Sequence, residues 1–265
     1  MKNLAYQIGI SFLMVIAGAE TAFANCSTDV QLLNDKLYKE NYSYEAAVEY
    51  WRGTSESCKS TGVYYQKLGA LYNLNKQRSK AVQTYHEGLA LDDDAKPDLM
   101  VGIANVYFQA AAAGEAYEEN VKQAASEFAK VVRAYPEDAY VLMQYANFLY
   151  FIERYDLAFN YAVKSNNIRE DYYSLRLIAI IFGEHKNDSE NAITTAYRAL
   201  GMRNNFNTDL ELEVVLAHAY MDKGDAEFAA KILQSLKDRR PSIVTEKKFI
   251  DALERLRPLY QSSKN

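Results

Sequence analysis

The chain has 265 residues, of which 49% are hydrophobic and 25% charged, and that balance excludes an intrinsically disordered chain and a multi-span membrane protein. Only 11 glycines and 4 prolines punctuate it, about half of average usage; a β-sandwich or barrel needs a turn every 8–12 residues or so, so the chain reads as all-α. The net charge of −5 argues against a nucleic-acid partner, whose phosphates need a basic footprint, and the short basic clusters Lys237-Asp238-Arg239-Arg240 and Lys247-Lys248 read as solvated helix faces.

Met1-Lys2-Asn3 is a short positive start, followed by the apolar run Ile8–Ala17. That run is too short for a membrane span, which needs about 20 residues. Ala22-Phe23-Ala24 then offers small residues at the two positions a signal peptidase reads. Residues 1–24 are therefore expected to be a signal peptide cleaved after Ala24, leaving a mature domain over 25–265 with no integral membrane span; the alternatives are a buried N-terminal helix or a membrane anchor. Cys26 does not sit in a lipoprotein cleavage box, because Asn25 precedes it and Phe23 stands three before it. The other cysteine is Cys58. Two cysteines in an exported chain read as one disulfide, against free thiols or an intermolecular bridge. No CxxC is present, so thiol–disulfide exchange chemistry is not indicated.

From residue 28 onward the chain repeats itself. Tyr38 stands nine residues before Ala47, with Trp51 four after it. Tyr65, Leu68-Gly69, Tyr72, Ala81, Tyr85 and Gly88 keep related spacings in a second unit. A third opens with Ile103-Ala104 and Tyr107 and continues with Ala124, Phe128 and Pro136, but Tyr107 to Ala124 is 17 residues where other units have nine. The extra residues fall near 112–120 and are expected to lengthen one or both helices or to protrude as a loop. Ala146 and Ala158 mark a fourth unit. The stretch 173–206 keeps a weak signature, with Phe182 to Ala192 one residue too long. Leu216-Ala217, Tyr220, Ala229, Leu233, Leu236 and Pro241 form the last. The units run roughly 28–61, 62–95, 97–138, 139–172, 173–206 and 207–241. The tail 242–257 reads as a solubilising cap: Ser242, Ile243, Phe249, Ile250, Leu253 and Leu256 form a helical apolar stripe, and Pro258 is expected to stop it.

These units resemble the tetratricopeptide repeat (TPR), a helix–turn–helix of about 34 residues with the pattern W-x2-L-G-x2-Y, then A-x3-F-x2-A, then P. Sel1-like repeats are a near relative with the same hairpin logic. The resemblance implies an all-α, right-handed superhelix of about five to six TPR-like hairpins with a C-terminal capping helix. Gly69, Ala104, Ala146 and Ala217 would then let first helices approach second helices closely, and Ala81, Ala158, Ala192 and Ala229 would do the same from the other side. The layout also bears on the cysteines. Cys26 would precede the first helix of the first repeat and Cys58 follow its second; those ends are adjacent in an antiparallel hairpin, and a terminal repeat has most need of a staple.

In the TPR pattern the concave groove is lined by the residue after the small position, by the residue four further on, and by their neighbours. Here that gives Gln66, Asn73, Asn105, Phe108, Gln109, Met143, Asn147, Tyr150, Phe151 and His218 as the candidate partner-binding groove. Asn105 and Asn147 are equivalent, and carboxamides pair with an extended peptide backbone. Some TPR domains grip a C-terminal carboxylate with Lys and Asn. Val101 and Met143 stand where a Lys would help, so an extended or helical apolar segment of another protein is the expected ligand. Each groove aromatic reads equally well as core between repeats.

Catalytic signatures are absent: there is no GxSxG, HExxH, GxxxxGK[ST], GxGxxG or EF-hand loop. His86, His185 and His218 share no ligand spacing, Asp92-Asp93-Asp94 reads as a turn capping the helix at Pro97, and Glu115, Glu118 and Glu119 read as exposed acids. The expected function is a non-enzymatic periplasmic adaptor or scaffold in assembly of envelope machinery, with no cofactor and no metal. The alternatives are a glycan-binding or glycan-active envelope protein, which would need a carboxylate pair facing the groove, and a self-assembling structural subunit.

Overall fold

The computed structural model describes residues 20–54, 56–91, 94–202 and 209–262. The expected leader lies outside the described residues up to position 19, as do Asp92 and Asp93. Every regular element among the described residues is helical: α1 (Glu20–Tyr38), α2 (Tyr44–Arg52), α3 (Glu56–Lys59), α4 (Gly62–Leu74), α5 (Arg78–Leu89), α6 (Lys96–Ala112), α7 (Tyr117–Ala134), α8 (Ala139–Phe151), α9 (Tyr155–Ile168), α10 (Tyr172–Glu184), α11 (Ser189–Gly201), α12 (Leu210–Asp222), α13 (Ala226–Arg239), a 3-10 turn (Pro241–Thr245) and α14 (Lys247–Ser262). The chain divides into two compact units, 1–136 and 137–265. The first holds α1–α3 and the hairpins α4/α5 and α6/α7. The second holds the hairpins α8/α9, α10/α11 and α12/α13, then α14.

First helices are capped by side chains. Thr61, Asp138, Asp171 and Asp209 each accept a backbone N–H at the start of α4, α8, α10 and α12, satisfying donors that a helix leaves orphaned. The exception is α6, where Ala95 holds the cap position with no side-chain bond. Pro97, with no N–H to satisfy and φ preset, opens it. Four of the five hairpins then turn through one left-handed residue: Lys76 (φ 58°), Glu153 (φ 61°), Asn187 (φ 49°) and Gly224 (φ 80°). At Lys76 the chain closes on itself, with its N–H on the Asn73 carbonyl and that of Gln77 on the Tyr72 carbonyl. The same pair of bonds recurs at Glu153–Arg154 and Gly224–Asp225. Only one of these four turns uses glycine, which accounts for part of the scarcity.

The close-packing alanines Ala81, Ala104, Ala124, Ala146, Ala158, Ala192, Ala217 and Ala229 are all fully buried. In unit 1 the ring of Tyr85, also fully buried, lies against Gly69 of α4 and Gly102 of α6, where a Cβ would come within 2.6 and 2.5 Å of it. The long unit is explained by its two helices. Both α6 and α7 are extended, to 17 and 18 residues, and the turn between them passes through Gly114 (φ 78°) and Ala116 (φ 36°). Arg78 of α5 holds that turn through two 2.8 Å hydrogen bonds from Nε and NH2 to the Glu115 carboxylate. In the weak unit the extra residue lengthens the turn between α10 and α11, His185–Asp188.

Cys26 and Cys58 are bonded, joining α1 to α3, and both are fully buried. Thr61 ties the site to α4, its hydroxyl donating to the Cys58 carbonyl at 2.7 Å. At the other end α14 does not stop at Pro258; the helix runs through it to Ser262. Proline there removes one hydrogen bond in the last turns, where few remain to be lost. Ser242 and Ile243 belong to the 3-10 turn rather than to the helix.

Candidate functional site

In unit 2 the first helices α8, α10 and α12 are followed on the same side by α14, and α10 packs on α12 and α12 on α14. Their shared face carries a continuous chain of polar contacts. Tyr150 of α8 donates its hydroxyl to Glu184 of α10 at 3.1 Å. Lys248 of α14 reaches the same Glu184 at 3.5 Å and also binds Glu211 of α12. Arg176 of α10 donates from Nε to Asp209 at 2.8 Å and from NH2 to Glu211, while the Tyr172 hydroxyl also binds Asp209. Further along α12, Arg255 of α14 pairs with Asp222 and lies 3.1 Å from His218 Nδ1.

Asp209 and Glu211 are buried, which alone would raise their pKa values. The Arg176 guanidinium outweighs burial in both, and Lys248 adds to it at Glu211, so both carboxyls are held below the usual range. Burial likewise works against the charge of Arg176, yet Asp209 and Glu211 raise its pKa. Lys248 is raised against burial by Glu211 and Glu184. Burial, then Glu184, pushes the Tyr150 phenol up, so it stays protonated as a donor. His218 is lowered by burial and then by Arg255, and His185 chiefly by burial, so both are neutral at pH 7. His185 stacks on Tyr155 with ring centroids 3.5 Å apart, and Tyr150 meets Tyr155 edge-on at 5.4 Å. The carboxylates facing the groove are thus engaged by cations. Among the described residues no group of three or more His, Cys, Asp and Glu side chains could hold a metal.

No protein-family model matches the sequence, and no curated protein matches it. Solved structures do. Tom70 of yeast superposes with a TM-score of 0.60 at 14% identity, over 84% of this chain and 44% of that one, so the chain spans under half of that structure. PilF of Pseudomonas aeruginosa gives 0.55 at 17% identity, over 78% and 97%. YrrB, described as a TPR protein with an unusual peptide-binding site, gives 0.51 at 18% identity, over 80% and 98%. The chain has the tetratricopeptide-repeat fold.

Within that TPR fold the expected groove residues divide by burial. In unit 1, Gln66, Asn73, Asn105 and Phe108 are buried. Asn73 donates to the half-buried Gln109 at 2.9 Å and accepts from Arg78 at 3.1 Å, so this pair links α4 to α6. In unit 2, Met143 is buried, accepting the Ser174 hydroxyl on its sulfur at 3.4 Å. Asn147, Tyr150 and Phe151 of α8 are half-buried, as is His218 of α12. Tyr150 and His218 belong to the polar chain described above. Reasoning from the sequence does not reach Arg176, Glu184, Glu211, Lys248 or Arg255. Two of these carry a readable signal: Ala179 occupies the small position of α10, which sets Glu184 in register with Phe151 and Asp222, and Arg176 in register with Met143. Arg176 therefore holds the position where a carboxylate grip would use a cation, but Asp209 engages its Nε and Glu211 a terminal nitrogen of its guanidinium.

Proposed function

We propose that the chain is a non-enzymatic adaptor that binds a segment of another protein along the first-helix face of unit 2. The observation that carries this reading is mutual fixation: Tyr150, Glu184, Lys248 and Glu211 hold one another across four helices, and Arg255 holds His218 and Asp222 beside them. A face built in this way gives up little side-chain freedom when a partner docks, so more of the contact energy remains as affinity. Beside it, Asn147 and Phe151 offer a carboxamide and an apolar ring to an extended backbone. The peptide-binding site named for YrrB is consistent with this use of the fold.

The adaptor acts in the periplasm, in assembly of envelope machinery. Export is supported by the leader-like residues 1–24 and by the Cys26–Cys58 bond, since oxidising compartments keep such bonds. No described helix is long and apolar enough to cross a membrane. A photo-crosslinking residue placed at Asn147 or Phe151 in cells tests the binding face, with Leu157 on α9, exposed on a second helix, as the reference. Capture of the same protein from both face positions and not from Leu157 is expected; equal yield at all three, or none, refutes the assignment. N-terminal sequencing of periplasmic protein should begin at Asn25.

A further inference from the structure

We infer that α14 is also a self-association surface, through which two copies of the chain pair about a two-fold axis. One side of this helix is used internally: Phe249, Ala252 and Leu256 are buried, packed with α12 and α13. Beside that stripe run Ile250, Leu253 and Arg257, with Glu246 in extended backbone just before the first residue of the helix, at spacings of four, three and four, the a/d spacing of a coiled-coil seam. Ile250 and Leu253 are 39% and 38% exposed. The outer helix of a repeat array normally carries a polar outer face that keeps the array soluble, so two large aliphatics here call for an occupant.

The charges say which occupant. Lay a second α14 antiparallel to the first, with the two-fold axis passing between residues 251 and 252. Ile250 then faces the second copy's Leu253, and Leu253 its Ile250. The same operation sets Glu246 opposite Arg257 and brings the exposed Lys247 to within two residues of the level of the second copy's exposed Glu254, along the flank of the seam, each pair occurring twice. A parallel arrangement would instead set Glu246 on Glu246 and Arg257 on Arg257. The surface is thus self-complementary in shape and charge, which is what a closed two-fold contact requires. Glu246 also meets Arg240 of its own chain at 3.4 Å, which fixes it at the end of the seam. Lys248 and Arg255, which join the first-helix face, leave α14 on the side away from the seam, so pairing and partner binding use different surfaces. A helix of 16 residues is about 24 Å long, so the contact is smaller than a standard interface of about 1,600 Å² and the dimer is expected to be reversible.

Sedimentation velocity of the full chain over a wide concentration series tests this. The mass should double at the upper end, and Ile250→Asp with Leu253→Asp should leave a monomer throughout, with an unchanged circular dichroism spectrum because both residues are exposed. Charge exchange gives an independent readout. Lys247→Glu with Arg257→Glu makes an all-acidic seam, and Glu246→Lys with Glu254→Lys an all-basic one. Each variant alone should be monomeric, and their equimolar mixture should sediment as a heterodimer. A wild-type monomer at every concentration overturns the inference, as does a dimer that survives the double aspartate substitution or a mixture that fails to associate.

Discussion

The closest glycine packing among the described residues gives the sharpest test of how the hairpins of unit 1 are held. A Cβ placed on Gly102 would lie 2.5 Å from Cε1 and Cζ of Tyr85, and one on Gly69 would lie 2.6 Å from Cε1. Non-bonded carbons rest at about 3.5–4.0 Å. Both glycines meet the same ring atoms, Cε1, Cζ and Cδ1, and the ring is fully buried, so relief must come from α4 or α6 moving apart. Overpacking of this kind costs about 1–3 kcal/mol, while alanine in a helix interior returns about 0.5–1 kcal/mol over glycine. Gly102→Ala and Gly69→Ala should each therefore destabilise unit 1 by about 1 kcal/mol, the difference between the middles of those two ranges. Trp51, the sole tryptophan, is buried in unit 1, so its fluorescence during urea unfolding reports this unit. Gly201 of α11 is the control: nothing lies within 4 Å of its added Cβ, and Gly201→Ala should stabilise by about 0.5 kcal/mol, read by circular dichroism. Combining Gly102→Ala with Tyr85→Leu closes a double-mutant cycle, and contacting residues couple by about 0.5–3 kcal/mol. If Gly102→Ala is no less stable than wild type, or costs the same beside leucine, the wedge is not what fixes these helices.

Lys67 is 2% exposed, and burial, only partly offset by Asp98, lowers its pKa from 10.5 to about 8. Between those pH values the unfolded chain binds more protons than the folded one, so stability rises with pH there; Lys67→Met should remove that slope in urea titrations at successive pH values, and a slope that survives the substitution would refute the assignment to Lys67. The Cys26–Cys58 bond closes a separation of 32 residues; on the chain-entropy account Cys26→Ala with Cys58→Ala should cost about 3–4 kcal/mol, seen as a lower urea midpoint in the Trp51 signal. Non-reducing peptide mapping of periplasmic protein should show the two cysteines joined. Glu153 has a left-handed φ of 61° and is exposed, so Glu153→Gly should raise Tm, by an amount matching about 1 kcal/mol; an unchanged or lower Tm would mean the side chain contributes more than its strain.

What the sequence makes legible about this fold is the part written in volume. Alanines at fixed intervals and aromatics four residues beyond them encode helix contacts, and Ala81 with Tyr85 or Ala124 with Phe128 do in the structure what their spacing requires. What it hides is the backbone. The eight-residue excess between Tyr107 and Ala124 reads equally as loop or helix, because Ala110 to Ala113 suit either; in the structure both helices lengthen, and Arg78 of α5 holds the short turn left between them at Glu115, a contact between positions 37 apart. Pro258 misleads for a related reason. Its local rule is sound, but near the end of α14 few later bonds depend on the one it removes.

The candidate site divides along the same line. A register rule names which side chains point at the first-helix face without saying how many neighbours already hold them. Asn105 and Phe108 satisfy that rule and are buried, because the first helices α4 and α6 pack directly on each other. Arg176 satisfies it too, in the unit whose signature is weakest. There Arg176, Asp209 and Glu211 add a charged contact to the apolar packing of Leu175, Ala179 and Ile180 on α12, costly to bury singly and tolerable only as a complete set. Such a contact fixes the helices in one register, and it leaves Asn147, Tyr150 and Phe151 of α8, rather than the charges, as the side chains with surface still available to a partner.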